Sequence, residues 1–193
     1  MVRTWQAFLE LLWPHEVAPT AKTANLTVGF FNGIQYVAPY QDPTIQTLVK
    51  QTKYQADRTA AAQLAAYLDW YAARIQTDFV IIPMPVSYQR WRSRGYNHIE
   101  LICKQSLYPS KMRTDVLTKS RHTVQQTQVN RSERIEQQRG TFSCNPISCR
   151  TLPSTVVLLD DVVTTGATMT AARAAIQPHL PPHTNLVCLA LAH

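Results

Sequence analysis

Short apolar runs alternate with longer helical patterns along this chain. Continuous apolar residues occupy positions 79–82 and 156–159, and a third, mostly apolar run covers 185–192. Between positions 42 and 75, an alanine-rich stretch carries large apolar side chains at intervals of four, three and four, at Leu64, Leu68, Tyr71 and Ile75. This spacing puts them on one face of one helix. Short buried strands separated by helices are typical of a parallel α/β sheet, which the pattern therefore predicts.

The segments between these elements carry weaker signals. Asn32 and Gly33 supply the turn of a hairpin within 28–40, which we expect at an edge of the sheet. The polar segment 120–142 has few apolar anchors, which predicts a mobile arm. Four further elements are predicted, in chain order: a basic loop at 88–97, a helix from about 97, a strand near 115–119, and a helix at 168–177 that ends before Pro178.

Length and composition fit one globular domain. The chain has 193 residues, of which 45% are hydrophobic and 16% charged. We assign residues 36–193 to the α/β domain and residues 1–35 to an N-terminal appendage. No apolar run approaches the roughly 18 to 20 residues that cross a bilayer, and acids and prolines interrupt the first residues. We therefore expect no transmembrane segment and a cytoplasmic location.

The positive charge is concentrated in the middle of the chain. Eleven lysines and arginines stand against four acids between Tyr88 and Arg139, whereas the rest of the chain has eight of each. The net charge of +7 therefore lies in this segment. Such a surplus usually faces the phosphate of a small molecule or the backbone of a nucleic acid. The alternative is a solvated basic surface that only keeps the protein soluble.

The cysteines do not have the spacing of a zinc site. Cys103, Cys144, Cys149 and Cys188 form no CxxC pair, and the closest two are separated by four residues. A structural zinc ion normally needs better-spaced ligands. We therefore predict four thiols with neither a metal nor a disulfide role.

The sequence VVLLDDVVTTGATM, residues 156–169, joins an apolar run to two acids and a loop of small and hydroxyl-bearing residues. In open α/β sheets, ligands bind at the carboxyl ends of strands, where Asp160 and Asp161 would lie. The small loop and the helix after it suit a phosphate, and neighbouring carboxylates suit sugar hydroxyls. The predicted ligand is therefore a sugar 5-phosphate. The alternative is an acidic pair that only caps a loop, while P-loop and dinucleotide fingerprints are absent.

This stretch resembles the phosphoribosyl pyrophosphate (PRPP) binding motif of type I phosphoribosyltransferases. From about residue 36 onward, the chain is similar to one branch of that superfamily, the ComF-type competence proteins, which are linked to DNA uptake in natural transformation. The resemblance implies a parallel sheet flanked by helices, with a small hood. The matching residues are Lys53, Tyr54, Pro83, Pro85, Arg94, Gly95, Tyr96, Asn97, Gln126, Arg134, Gly140 and Phe142.

The resemblance also implies roles for particular residues. Asp160 and Asp161 would bind the ribose hydroxyls, while Pro85, Arg94 and Arg134 would lie on the pyrophosphate side. Mg²⁺ would bridge oxygens of the ligand rather than sit in a cage of protein side chains. An alternative for Arg134 is an ion pair with a neighbouring glutamate. The loop around the 5-phosphate would consist of Val163, Thr164, Thr165, Gly166, Ala167 and Thr168.

Two departures from the family pattern are visible. Members of the branch often begin with a four-cysteine zinc module, but the first 100 residues here contain no cysteine, so we expect no zinc. His98 and Gln137 replace the usual glutamine and asparagine, and the acceptor side of the site therefore stays unassigned.

Two functions of different classes fit these observations. The first is a phosphoribosyltransferase that uses PRPP. The second is a non-catalytic component of DNA uptake that binds a nucleotide or single-stranded DNA, with a competence helicase or ATPase as a partner. Cations interleaved with aromatic rings have the composition of a stacking platform for single strands, although the rings would equally pack the loop onto the sheet. The residues concerned are Tyr88, Arg90, Trp91, Arg92, Arg94 and Tyr96.

Overall fold

A mostly parallel sheet of five strands is the centre of the computed structural model, which describes residues 26–119 and 141–193. The strands follow the order β1, β2, β7, β6, β3, and only β1 is antiparallel to its neighbour. Two further strands, β4 and β5, form a separate antiparallel pair. The α/β class and the mostly parallel sheet are therefore confirmed. In chain order the strands are β1 (Gly29–Phe31), β2 (Ile34–Ala38), β3 (Phe79–Pro83), β4 (Leu117–Lys119), β5 (Phe142–Cys144), β6 (Thr155–Val162) and β7 (Asn185–Ala192).

Helices cover both faces of this sheet. In the described ranges they are α1 (Pro43–Gln55), α2 (Arg58–Ala72), α3 (Tyr88–Arg94), α4 (His98–Gln105), α5 (Pro146–Cys149) and α6 (Ala167–Ile176). None of these helices has the length and apolarity that a membrane crossing requires.

Alternate residues of the central strands feed two separate apolar cores. Val157 and Leu159 of β6 pack with α1, α2 and α4 on one face. Val156 and Leu158 pack with α6 and the β4–β5 pair on the other. All four side chains are fully buried, and burying such a side chain contributes about 2 kcal/mol. Burial on both faces explains why this strand is a continuous apolar run in the sequence.

The predicted hairpin is confirmed and forms the edge of the sheet. Asn32 (φ 50°) and Gly33 (φ 75°) connect β1 to β2, as a two-residue turn with both φ angles positive requires. Because β2 pairs with β7, the boundary that we predicted between residues 35 and 36 falls inside a strand of the sheet. Residues 1–25 of the predicted appendage lie outside the described residues.

The segment predicted to be a basic loop is a short helix, so that prediction was wrong. Residues Tyr88–Arg94 form α3, whose first turn is capped by the Ser87 side chain, which accepts a hydrogen bond from the Arg90 amide at 3.3 Å. Gly95, with φ 79°, ends the helix by donating its N–H to the Trp91 carbonyl at 2.7 Å. No side chain of α3 is buried, so apolar periodicity carried no signal there.

The helix that we predicted across 42–75 is two helices. Ala56 adopts the left-handed conformation with φ 54°, which ends α1, and the Asp57 side chain accepts from the amides of Thr59 and Ala60 to start α2. The Tyr96 hydroxyl donates to the Thr52 carbonyl at 2.8 Å and accepts from the Ala56 amide at 3.0 Å, which holds the turn between the helices.

The strand that we predicted at 156–159 is longer than expected. β6 runs from Thr155 to Val162 because β7 continues beside it, with Asp160 opposite Ala190 and Val162 opposite Ala192. Both aspartates therefore belong to the strand rather than to the loop after it. The last predicted helix is confirmed with a shift of one residue, at Ala167–Ile176.

Candidate functional site

The carboxyl end of β6 leads into the candidate site. The strand ends at Val162, a short loop follows, and α6 begins at Ala167. Gly166 precedes the helix with φ 78° and, as a glycine, has no capping side chain. The Thr165 hydroxyl accepts a hydrogen bond from the Ala167 amide at 3.4 Å. Amides at the start of a helix attract anions, because they have no partner within the helix and lie at the positive end of its dipole.

A small hollow of about 40 Å³, open to solvent, lies at this turn. Thr164 and Thr165 are exposed, and Thr168 is partly exposed. Every loop residue that the sequence predicted for the phosphate is therefore brought to one place. The lining residues are Asp160, Val162, Val163, Thr164, Thr165, Gly166, Ala167, Thr168 and Met169.

The loop is held to the sheet at Val163. Its amide donates to the Ala192 carbonyl at 3.0 Å, and its carbonyl accepts from Nδ1 of His193 at 2.9 Å. A carbonyl cannot donate, so this contact fixes the hydrogen of the imidazole ring on Nδ1. The ring stacks on Phe31 with centroids 4.1 Å apart and contacts Tyr36 at 5.1 Å. His193 therefore links the loop to the hairpin edge.

Asp160 and Asp161 face opposite sides of β6, since side chains alternate along a strand. Asp160 is half-buried and lines the hollow. Asp161 is 4% exposed and contacts α1 and α4 on the other face. The two groups nevertheless remain close, because the Asp161 amide donates to Oδ1 of Asp160 at 2.9 Å.

Hydrogen bonds reach both carboxylate oxygens of Asp161. Oδ2 accepts from Nε2 of His98 at 3.1 Å and from Nζ of Lys53 at 3.4 Å, while Oδ1 accepts from the Val162 amide at 2.9 Å. Burial alone would raise the pKa of Asp161. The hydrogen bond and charge of His98 and the ammonium of Lys53 outweigh burial, so the pKa lies below its usual range and the group is an anion.

The pKa of Asp160 shifts in the opposite direction. Burial, followed by the negative charge of Asp161, raises the pKa of Asp160 well above its usual range. Of these two neighbouring carboxyls, Asp160 therefore takes up a proton more readily, and Asp161 more readily keeps its negative charge. A protonated Asp160 both donates and accepts hydrogen bonds, which suits a ligand hydroxyl.

Arg94 and Pro85, predicted on the pyrophosphate side, are described but do not line the hollow. The Arg94 guanidinium is 5.0 Å from the ring of Tyr54, which follows Lys53 in α1. Among the described residues, its buried Nη1 atom has no hydrogen-bond partner. Pro85 is half-buried and follows Met84, whose carbonyl accepts from the Asn97 side chain at 3.1 Å. Arg134 lies outside the described residues.

Three of the four candidate DNA-binding side chains of α3 are exposed, whereas Arg94 is half-buried. Trp91 is 52% exposed, and Arg90 and Arg92 are exposed as well. The positive charge of Arg90 also acts on Lys119, whose pKa is lowered first by burial and then by this charge. Asp160 has the opposite, smaller effect and raises the pKa of Lys119, which is therefore within electrostatic range of both Arg90 and Asp160.

Four residues at or beside the candidate site received no site role from the sequence: Lys53, His98, Lys119 and His193. Lys53 and His98 were visible only as positions in a family pattern, and their contacts to Asp161 span 108 and 63 residues of chain. A single histidine or lysine carries no signal for so distant a partner. Among residues 26–119 and 141–193, no three His, Cys, Asp or Glu side chains are grouped as metal ligands.

No family model and no curated protein matches this sequence. The geometry of the carboxyl pair and its loop is therefore the basis for the chemistry proposed below.

The opposite pKa shifts predict opposite effects of two similar substitutions on the stability of the free chain. Folding raises the pKa of Asp160, so its contribution becomes unfavourable as pH rises above the unfolded value of 3.8, and Asp160→Asn should stabilise the chain by about 1 kcal/mol at pH 7. Folding lowers the pKa of Asp161, whose contribution is favourable above that value and is lost in acid. Asp161→Asn should therefore destabilise by about 3 kcal/mol.

Urea unfolding of both variants from about pH 4 to pH 8 measures these free energies. The stabilisation by Asp160→Asn should shrink toward pH 4. Destabilisation of equal size in both variants would contradict the division between the two carboxyls.

Two glycines with nearly the same φ allow a matched test of the loop. Gly95 (φ 79°) has open space where a Cβ would lie, whereas a Cβ on Gly166 (φ 78°) would be 2.9 Å from Cδ1 of Ile34. Gly95→Ala should cost only the left-handed conformation, about 1 kcal/mol. Gly166→Ala should cost roughly twice that, because Ile34 must also move. Equal unfolding free energies for the two variants would show that Ile34 yields freely.

Proposed function

We propose that the carboxyl end of β6 and the loop after it bind PRPP, with the 5-phosphate in the loop Val163–Thr168 and the ribose at the acidic pair. The observation that carries this proposal is a helix start, preceded by a glycine, that a short loop connects to two carboxyl groups near the end of one strand. The loop thus favours a phosphate and the carboxyls favour sugar hydroxyls, and the two are near enough for one sugar phosphate to reach both. This extends the α/β class to the type I phosphoribosyltransferase fold, with a small hood.

The roles within this site follow from protonation and exposure. Asp160 faces the hollow and, when protonated, exchanges hydrogen bonds with a ribose hydroxyl. The exposed hydroxyls of Thr164 and Thr165 supplement the loop amides at the phosphate. The resemblance adds Pro85, Arg94 and Arg134 on the pyrophosphate side.

Mg²⁺ fits this arrangement as a partner of the ligand. The described residues offer no cage of three acidic or imidazole ligands, whereas Mg²⁺ keeps several waters and binds phosphate oxygens readily. Bound there, Mg²⁺ supplies neutralisation of the negative charge on the pyrophosphate. Lys53 and His98 supply none to the ligand directly, because both are engaged with Asp161.

As a phosphoribosyltransferase, the protein would act mainly by positioning. An acceptor attacks C1 of the ribose as pyrophosphate leaves, and fixed donors stabilise the charge that develops on the leaving group. The ComF-type resemblance adds the proposal that this domain serves DNA uptake in natural transformation, alongside a competence helicase or ATPase.

PRPP should bind the full chain in the presence of Mg²⁺, and the double variant Asp160→Asn/Asp161→Asn should bind it about a hundredfold more weakly. The double variant removes the carboxyl that faces the hollow and the anion behind it. A lost hydrogen bond to a charged group is worth roughly 1.5 to 3 kcal/mol, and a tenfold change in affinity corresponds to about 1.4 kcal/mol. Titration calorimetry measures both, with circular dichroism as the control for folding. Undetectable binding by the folded wild type, or equal binding by both proteins, would refute the proposal. Release of pyrophosphate across a panel of bases then tests turnover.

The second candidate function, binding of single-stranded DNA, is favoured by the exposure of α3. None of its side chains is buried, and Tyr88 and Trp91 are 46% and 52% exposed beside the exposed Arg90 and Arg92. Two aromatic rings interleaved with cations can stack bases while holding phosphates. The exposure of these rings favours this interpretation over rings that only pack the segment onto the sheet.

Single-stranded DNA affinity should therefore fall steeply with salt, and Arg90→Gln/Arg92→Gln should flatten that dependence. Each lost phosphate contact lowers the slope of log affinity against log salt by roughly 0.7. The matched control is Lys50→Gln/Arg150→Gln, which removes the same charge from exposed positions outside α3. Fluorescence anisotropy at several salt concentrations gives the slopes. Equal slopes for both double variants would argue against a site on α3.

A further inference from the structure

Cys144 and Cys149 are closer in space than their separation in the sequence suggested. The Sγ atoms of Cys144 and Cys149 lie 2.7 Å apart, and both residues are free thiols. A disulfide bond is about 2.05 Å long, so less than about 1 Å separates this contact from a covalent bond. Bond formation therefore needs a small displacement of two side chains. We predicted no disulfide role from the sequence, because the spacing alone did not indicate this proximity.

The backbone between these cysteines is fixed by several hydrogen bonds. Cys144 ends β5 opposite Leu117, and Cys149 ends α5. The Asn145 side chain caps α5 by accepting from the Ile147 amide at 3.1 Å, and the Cys149 amide donates to the Asn145 carbonyl at 3.2 Å. The Asn145 amide also donates to the Val116 carbonyl at 2.8 Å. The two sulfur atoms therefore meet in a structured turn.

The remaining cysteines occupy other parts of the fold. Cys103 lies on α4, in the core shared with α1 and α2. Cys188 lies on β7, in the core on the opposite face of the sheet. Both are almost fully buried, with exposures of 0% and 3%. They serve as internal controls for thiol reactivity.

Access differs between the two neighbouring thiols. Cys144 is half-buried, whereas Cys149 is fully buried. An oxidant in solution therefore meets Cys144 first. Burial, followed by the contact with Cys149, raises the pKa of Cys144 to about 12. Because the thiolate is the attacking species, the reaction is slow at neutral pH and faster in alkali.

We propose that Cys144 and Cys149 are a redox-active dithiol that a low-molecular-weight disulfide converts to an internal disulfide. The Cys144 thiol loses its proton and attacks one sulfur of the small disulfide, and the other sulfur leaves and takes up a proton as a thiol. The Cys149 thiol then loses its proton and attacks Cys144, which releases the second small thiol. The two cysteines lose two electrons and two protons, and the small disulfide gains them. This reaction requires neither PRPP nor DNA.

The test treats the folded full chain with oxidised glutathione between about pH 7 and pH 9. Tryptic cleavage after Arg139 and Arg150 gives one peptide, residues 140–150, that holds both cysteines and neither of the others. We expect this peptide to lose two hydrogens in mass and the count of free thiols to fall from four to two. The rate should rise with pH, and a reducing agent should reverse the change.

Matched variants separate this pair from general thiol oxidation. Cys103→Ser/Cys188→Ser should form the same cross-linked peptide, whereas Cys149→Ser should stop at a glutathione adduct on Cys144. The unfolded chain in concentrated urea is the positive control for the oxidant. Four free thiols in the folded chain, or a persistent adduct on Cys144 with Cys149 still free, would overturn the proposal.

Discussion

Two adjacent carboxyl groups inside one strand are the constraint on which this site depends. Ionising both within a largely buried sheet would leave like charges close together and poorly solvated. The fold resolves this by giving Asp161 two cationic or hydrogen-bonding partners, Lys53 from α1 and His98 from α4, and by leaving Asp160 without either. The same contacts tie two helices to β6. Charge placement at the site and the docking of helices on one face of the sheet are therefore one arrangement.

Much of the fold could be predicted because its strands are buried on both faces. Burial requires continuous apolar runs, and those runs stand out in the sequence at 79–82, 156–159 and 185–192. Helix α3 could not be found by the same means, since none of its residues is buried, and its only signals were Ser87 and Gly95 at the two ends. The break between α1 and α2 depends on the left-handed Ala56, a conformation that alanine itself does not favour. The Tyr96 hydroxyl, 40 residues away in the sequence, supports it by accepting from the Ala56 amide.

The position of the candidate site was predictable from the sequence, but the difference between its two carboxyl groups was not. Parallel strands present their carboxyl ends at one edge, so residues that follow an apolar run were expected there. The sequence treated Asp160 and Asp161 as equivalent, because the run of apolar residues stops before them. Pairing with β7 extends the strand through both, and the alternation of side chains then separates them onto two faces. Only the packed helices show which carboxyl remains charged.

The difference between Asp160 and Asp161 determines which chemical groups of a ligand fit this site. A half-buried Asp160 with a raised pKa costs the free chain stability at neutral pH, and such costs are commonly retained where a ligand is bound. A ribose hydroxyl can hydrogen-bond to this carboxyl without adding charge, whereas a second anion close to Asp161 would be repelled. The phosphate is accordingly favoured farther along the loop, at the amides that begin α6, and its charge is met by backbone dipoles rather than by Lys53 or His98. The two carboxyls come first along the chain, near the end of β6, and the loop follows. Under the proposed function, this order sets the orientation of the sugar phosphate.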